Sequence, residues 1–248
     1  MLTARAALIV SLGAASACLP AIALADEHTE RRATHATGDA KAAYDLDRPH
    51  SHVELGVGVL TLPSAHLCIT TECTSTDLTL LLELRHVFMF NRRFGLEAGV
   101  AWGFRPVTAE ANLHAPDGEV IERRHSRNYF MVSGGARYYP ITSPGFLLWT
   151  GAKAGVVVAS DRYASPDRGE SILGPRSTVI RSEGVMGGLA LGADWPLRTN
   201  WLLGVWTTQM LWNFPGQRAC AQTRECASVG GTLYSFEAGL AVTYRVHL

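Results

Sequence analysis

The chain lacks a net charge. Its 22 Lys and Arg balance 22 Asp and Glu, so it has neither the basic surplus that gathers nucleic acid nor the acidic surplus of a solvating tail. No nucleic-acid partner is expected. Beyond Ala25 no apolar run reaches the ~18–20 residues of a membrane-spanning helix, and glycines at positions such as 95, 99, 103, 151, 155, 187, 188 and 192 weaken any shorter helix. The cysteines lack metal spacing: four residues separate Cys68 from Cys73 and five separate Cys220 from Cys226, too wide for a zinc knuckle. Residues 26–50 are short of large apolar side chains and cannot bury enough surface to fold alone, which predicts a flexible periplasmic leader.

What stands at the start is a secretory layout. Arg5 precedes an Ala-rich apolar run from Ala6 to Leu24, then Ala23-Leu24-Ala25 and the acidic pair Asp26-Glu27, so residues 1–25 read as a signal peptide cleaved after Ala25. Cys18 lies inside it, in Ala15-Ser16-Ala17-Cys18, which misses the large aliphatic residue that opens a lipoprotein box. The exported part keeps Cys68, Cys73, Cys220 and Cys226, an even number for which two disulfides are expected. Short separations favour Cys68–Cys73 and Cys220–Cys226, with pairing across the two connections as the rival.

From residue 51 to 248 the pattern becomes period-2 alternation rich in Val, Leu, Gly and aromatics. Eight segments stand out: Ser51–Leu62, Asp77–Phe90, Phe94–Phe104, Asn128–Tyr139, Phe146–Ala159, Arg181–Trp195, Trp201–Trp212 and Thr232–Leu248. Their connections alternate. Pro63–Thr76, Arg105–Arg127, Ser160–Ile180 and Asn213–Gly231 are long, while Asn91–Arg93, Pro140–Gly145 and Pro196–Asn200 are short. Short periplasmic turns, long external loops and an even strand count predict an all-β fold: a closed eight-stranded antiparallel up-and-down transmembrane β-barrel in a bacterial outer membrane.

Strand parity supplies a second test. In the last segment Tyr234, Phe236, Ala238, Leu240, Val242, Tyr244, Val246 and Leu248 share one face, and Ser235, Glu237, Gly239, Ala241, Thr243, Arg245 and His247 the other. Applied throughout, the rule puts Glu54, Glu83, Arg85, Glu97, Arg137, Lys153, Glu237 and Arg245 inside, because the opposite parity turns a mid-membrane Arg or Lys to lipid at ~2–4 kcal/mol. An inward Lys153 also turns Leu147 and Trp149 inward. Aromatics fall into two girdles: Phe90, Phe94, Tyr138, Phe146, Trp195, Trp201 and Tyr244 on the periplasmic side, and Trp102, Phe104, Phe130, Trp212, Tyr234 and Phe236 on the external side.

On these features the chain resembles the small eight-stranded outer-membrane barrels of the OmpA membrane-domain, OmpX and OmpW type. The last segment carries the most specific likeness: Leu240, Val242, Tyr244, Val246 and Leu248 look like the alternating signal read by the barrel-assembly machinery, with Leu248 where an aromatic is usual. The resemblance implies a monomer among outer-membrane lipid and lipopolysaccharide, a narrow solute passage as an alternative role, and lipid-modifying enzymes as a further one. The enzyme reading finds little support. His125-Ser126-Arg127 only echoes the His and Ser two residues apart of a barrel deacylase, and Asp117, Glu119 and Glu122 stand at no recognisable spacing from a nucleophile.

Counted from the periplasmic end, Arg245, Glu54, Arg85, Glu97 and Arg137 form a belt of alternating sign across strands 8, 1, 2, 3 and 4. Inward glycines at 56, 58, 95, 99, 151, 155, 188 and 239 leave room for it. His50, His52 and His247 meet at the periplasmic mouth, where solvated histidines compete with a zinc or copper site. No cofactor and no enzyme activity are expected. The expected role is a non-enzymatic barrel whose external loops serve envelope structure, adhesion or partner recognition.

Overall fold

A computed structural model describes residues 49–63, 78–105, 109–110, 113–114, 120–165, 177–221 and 225–247. The signal segment, Cys18, the leader up to residue 48, Cys68, Cys73, Asp117, Glu119 and Leu248 lie outside the described residues, as does the side chain of His247.

Eight long strands form the body: β1 (His50–Thr61), β2 (Leu78–Met89), β3 (Phe94–Phe104), β4 (Arg124–Ser143), β5 (Phe146–Ala164), β6 (Ser177–Arg198), β7 (Trp201–Asn213) and β8 (Thr232–His247). Each pairs antiparallel with its sequence neighbours, and β8 returns to β1 from His50↔His247 to Thr61↔Phe236, closing the ring. Three two-residue strand pieces, Ala109–Glu110, Leu113–His114 and Val120–Ile121, lie in the connection before β4. Among the described residues there is no helix.

The ladders also define the stagger. Tracing partners around the ring from Phe88 leads through Leu96, Ala136, Ala152, Leu189, Gln209, Phe236 and Thr61 to Leu78, ten residues from the start on the same strand. Closure therefore requires a shear of ten, and a level path around the barrel departs from the ladder partners by just over one residue per strand.

Exposure alternates along every strand. Leu55, Leu84, Leu96, Val132, Val156, Leu189, Leu203 and Leu240 all face out, Leu189 at 68% and Leu240 at 60% exposure, forming an apolar wall that water cannot cover. Phe90, Phe94, Tyr138, Trp195, Trp201 and Tyr244 rim it below, and Trp102, Phe104, Phe130 and Tyr234 rim it above. Trp212, expected in the upper rim, is instead buried inside against Tyr129, with ring centroids 5.3 Å apart. The register sets this: Leu211 lies opposite Tyr234 and shares its outward face, so Trp212 points in.

The first turn is held by Asn91, whose Oδ1 accepts from the backbone N–H of Arg93 at 2.8 Å and of Phe94 at 3.0 Å. The prolines expected in the other two turns lie in the strands. Pro140 sits where the β4–β5 register shifts, and Pro196 where β6–β7 does, because a residue without an N–H is tolerated at a bulge. Three strands run further outward than the alternation suggests: β4 begins at Arg124, β5 reaches Ala164 and β6 begins at Ser177. These extensions carry a β-sheet wall beyond the external rim.

Candidate functional site

The barrel interior holds a charge network built on inward positions of β1 to β5 and β8. Arg137 of β4 reaches across the lumen to β1, where its Nη1 and Nη2 donate to Glu54 Oε1 and Oε2 at 2.7 and 2.8 Å. Its Nε donates to Glu97 of the adjacent β3. The guanidinium also lies 3.9 Å over the ring of Trp149, so the inward turn of β5 that accommodates Lys153 supplies a cation–π platform. Arg85 adds a second cation at 3.0 Å from Glu54 and 3.6 Å from Glu83, and stacks 4.9 Å from the Trp206 ring centroid. One layer outward, Lys153 bridges Glu83 at 2.8 Å and Glu97 at 3.4 Å.

Glu54, Glu83, Arg85, Glu97, Arg137, Lys153, Glu237 and Arg245 are all buried on the inner face. The structure joins the first six into one ion-pair network. Arg245 does not take the belt position expected from counting. Its ladder partner is His52, and its Nε donates to His52 Nε2 at 3.3 Å, two residues periplasmic of Glu54. Counting from strand ends ignores the ten-residue stagger, which drops β8 positions below those of β1. Asp194, buried on β6 against the Cα of Gly204, is a further lumen acid that the parity argument did not single out.

At the periplasmic mouth the rings of His50 and His52 lie 4.9 Å apart. An arginine donating to the Nε2 of His52 opposes a cation at the same atom, so this geometry does not suit a metal. Among the described residues no group of three metal-ligating side chains converges.

A second buried cluster lies beyond the external rim, and sequence reasoning missed it. Asp161 of the β5 extension accepts from His125 Nε2 at 2.6 Å and Arg127 Nε at 3.2 Å on β4. Ser228 of the last external connection donates to the same carboxylate through its backbone N–H at 2.9 Å and through its hydroxyl. Tyr163 stacks on His125 at 4.5 Å and donates to the Cys226 carbonyl at 2.8 Å, while Arg123 pairs with Glu225 at 3.1 Å. Cys220 and Cys226 are disulfide-bonded, so the segment gripped by Asp161, Tyr163 and Arg123 is itself cross-linked. Burial alone pushes the Asp161 carboxyl up, but the hydrogen bonds from His125 and Ser228 and the Arg127 charge outweigh it and hold the group below the usual carboxylate range. Although Ser, His and Asp meet here, Ser228 and His125 both bond the carboxylate and not each other. The serine hydroxyl is turned to the carboxylate and not to the imidazole, so the three groups do not form a Ser–His–Asp relay, and the cluster is a latch in form.

No family model matches this sequence, and none of the curated proteins matches it. Solved structures do. Neisserial surface protein A is 10% identical, with 78% of this chain aligned to 96% of that one at a TM-score of 0.50. Ail, the attachment invasion locus protein of Yersinia pestis, is 12% identical over 80% of this chain and 99% of its own, at 0.48. The outer membrane protease OmpT from Escherichia coli is 8% identical over 80% and 97%, at 0.39. The fold is that of the small eight-stranded outer-membrane barrels. With its closed ring, outward apolar wall and two aromatic rims, the chain has the build of a transmembrane β-barrel. Such a fold hosts more than one activity, so function has to be argued from the site.

Proposed function

We propose that the protein is a plugged, non-enzymatic barrel that serves as a rigid scaffold for its external connections, in envelope structure, adhesion or recognition of a partner. The observation that carries this reading is Arg137, which spans the lumen from β4 to Glu54 on β1 while resting on Trp149. An eight-stranded barrel is only just wide enough for side chains to fill. A guanidinium bridged across that bore, with Arg85 on Trp206 beside it, occupies the cross-section an ion would need. The external latch supports the same role, since it couples the last connection to the strand extensions instead of leaving it to move freely. The closed ring leaves no strand edge for a second copy, which supports a monomer.

Planar-bilayer recording of the refolded protein tests this. The expected outcome is no stepwise conductance at neutral pH. Sustained unitary currents would overturn the plug and favour a narrow solute passage.

A further inference from the structure

The outer face of the strand extensions carries a charge pattern of its own. Arg124, Arg162 and Arg181 point outward from β4, β5 and β6 and are exposed. Arg162 is the ladder partner of Ser126 on one side and Val179 on the other. Arg124 and Arg181 are thus its diagonal neighbours on the same face, about 7–8 Å away. The barrel's stagger decides their height: relative to ladder partners, a level path falls by just over one residue per strand, so these two-residue diagonals run close to the membrane plane. The three guanidinium groups form a nearly level row, and among the described residues none of them has an ion-pair partner.

Arg124 stands six residues outward of Phe130 on the same strand, about 15 Å along the membrane normal at ~3.3 Å per residue and a tilt near 40°. That is above the ~5–7 Å headgroup layer of an ordinary phospholipid. Directly beneath the row, a groove of about 600 Å³ opens between β5, β6 and the segment after β7. Val156, Val158, Val185 and Pro215 give it apolar walls, and Glu183 and Asn213 add polar groups.

We propose that this wall binds a lipopolysaccharide of the outer leaflet, with saccharide phosphates on Arg124, Arg162 and Arg181 and an acyl chain in the groove. Guanidinium groups bind phosphate oxygens through paired, charge-assisted hydrogen bonds, and among the described residues no ion pair already engages these three. Glu183 and Asn213 line the same groove beside the valines, where sugar hydroxyls find an acceptor and a donor.

The test measures binding of rough lipopolysaccharide with phosphorylated core sugars to the refolded protein in a neutral detergent, followed by native mass spectrometry. Replacing all three residues together (Arg124→Gln, Arg162→Gln, Arg181→Gln) is expected to weaken binding at least about tenfold. The same loss is expected when the wild type is given the dephosphorylated lipopolysaccharide. Arg92→Gln with Arg93→Gln, at the periplasmic turn, is expected to change nothing. Heat-dependent gel mobility checks that each variant is folded. Unchanged binding by the folded triple variant, equal binding of the dephosphorylated form, or an equal loss in the periplasmic control each overturns the site. Displacement by inorganic pyrophosphate at equal concentration overturns a lipid as the ligand.

Discussion

Arg137 bonds Glu54 and Glu97 and rests on Trp149 at once, so its removal gives a sharp test of the network. Arg137→Ala takes away two hydrogen bonds to Glu54, one to Glu97 and the contact over Trp149. Breaking a buried pair from one side costs about 3–5 kcal/mol, and a desolvated cation–π contact adds ~1–2 kcal/mol. Arg85 at 3.0 Å from Glu54 and Lys153 at 3.4 Å from Glu97 remain and compensate part of the stranded charge. The loss should therefore settle near ~4 kcal/mol. Replacing Glu54→Gln and Arg137→Gln together should cost less than the two singles combined, with a coupling of about 1–3 kcal/mol. Glu54→Gln with Arg245→Gln should instead be additive within ~0.5 kcal/mol, because Arg245 bonds His52. Urea unfolding of the wild type, singles and doubles in detergent measures all of these terms. Additivity for Glu54 with Arg137, or strong coupling for Glu54 with Arg245, would refute the cross-lumen arrangement.

Asp161→Asn should release the last external connection, costing ~1–3 kcal/mol of local stability for the lost charged hydrogen bonds, read as faster hydrogen exchange in residues 214–231. Because the folded Asp161 carboxyl lies below its ordinary value, its stabilisation is fully present above the usual carboxylate range and lost as pH falls through the lowered folded value; protection of these amides, corrected for the intrinsic pH dependence of exchange, that does not fall on acidification below the usual carboxylate range would count against the latch. Gly192→Ala should cost ~1–3 kcal/mol in the same urea assay, since a Cβ there strikes the Trp149 indole. Gly145→Ala, which meets nothing within 4 Å, should be silent.

Strand number, inward charges and the apolar wall were legible in the sequence because period-2 alternation records them directly. Even the awkward consequence at β5, a lumen-facing Trp149, follows from turning Lys153 inward, and the structure makes that tryptophan the platform for Arg137. The limits of legibility follow the membrane. Beyond the rims neither face of a strand needs to be apolar, so alternation fades at Asn128, Ala159 and Arg181 while the β4, β5 and β6 ladders continue to Arg124, Ala164 and Ser177. The latch lies in that zone and joins residues far apart in the chain, such as Asp161 and Ser228, which no local pattern brings together.

The stagger of the ring was equally invisible, since it depends on how all eight ladders close and not on any one strand. Its consequences appear at both ends of the barrel. It drops Arg245 out of the Glu54 layer and onto His52. It also levels Arg124, Arg162 and Arg181, which by strand counting alone descend two residues at each step. Parity determines which side chains share a face, whereas shear determines which of them share a height. Both the lumen bridge and the external arginine row require the second quantity as well as the first.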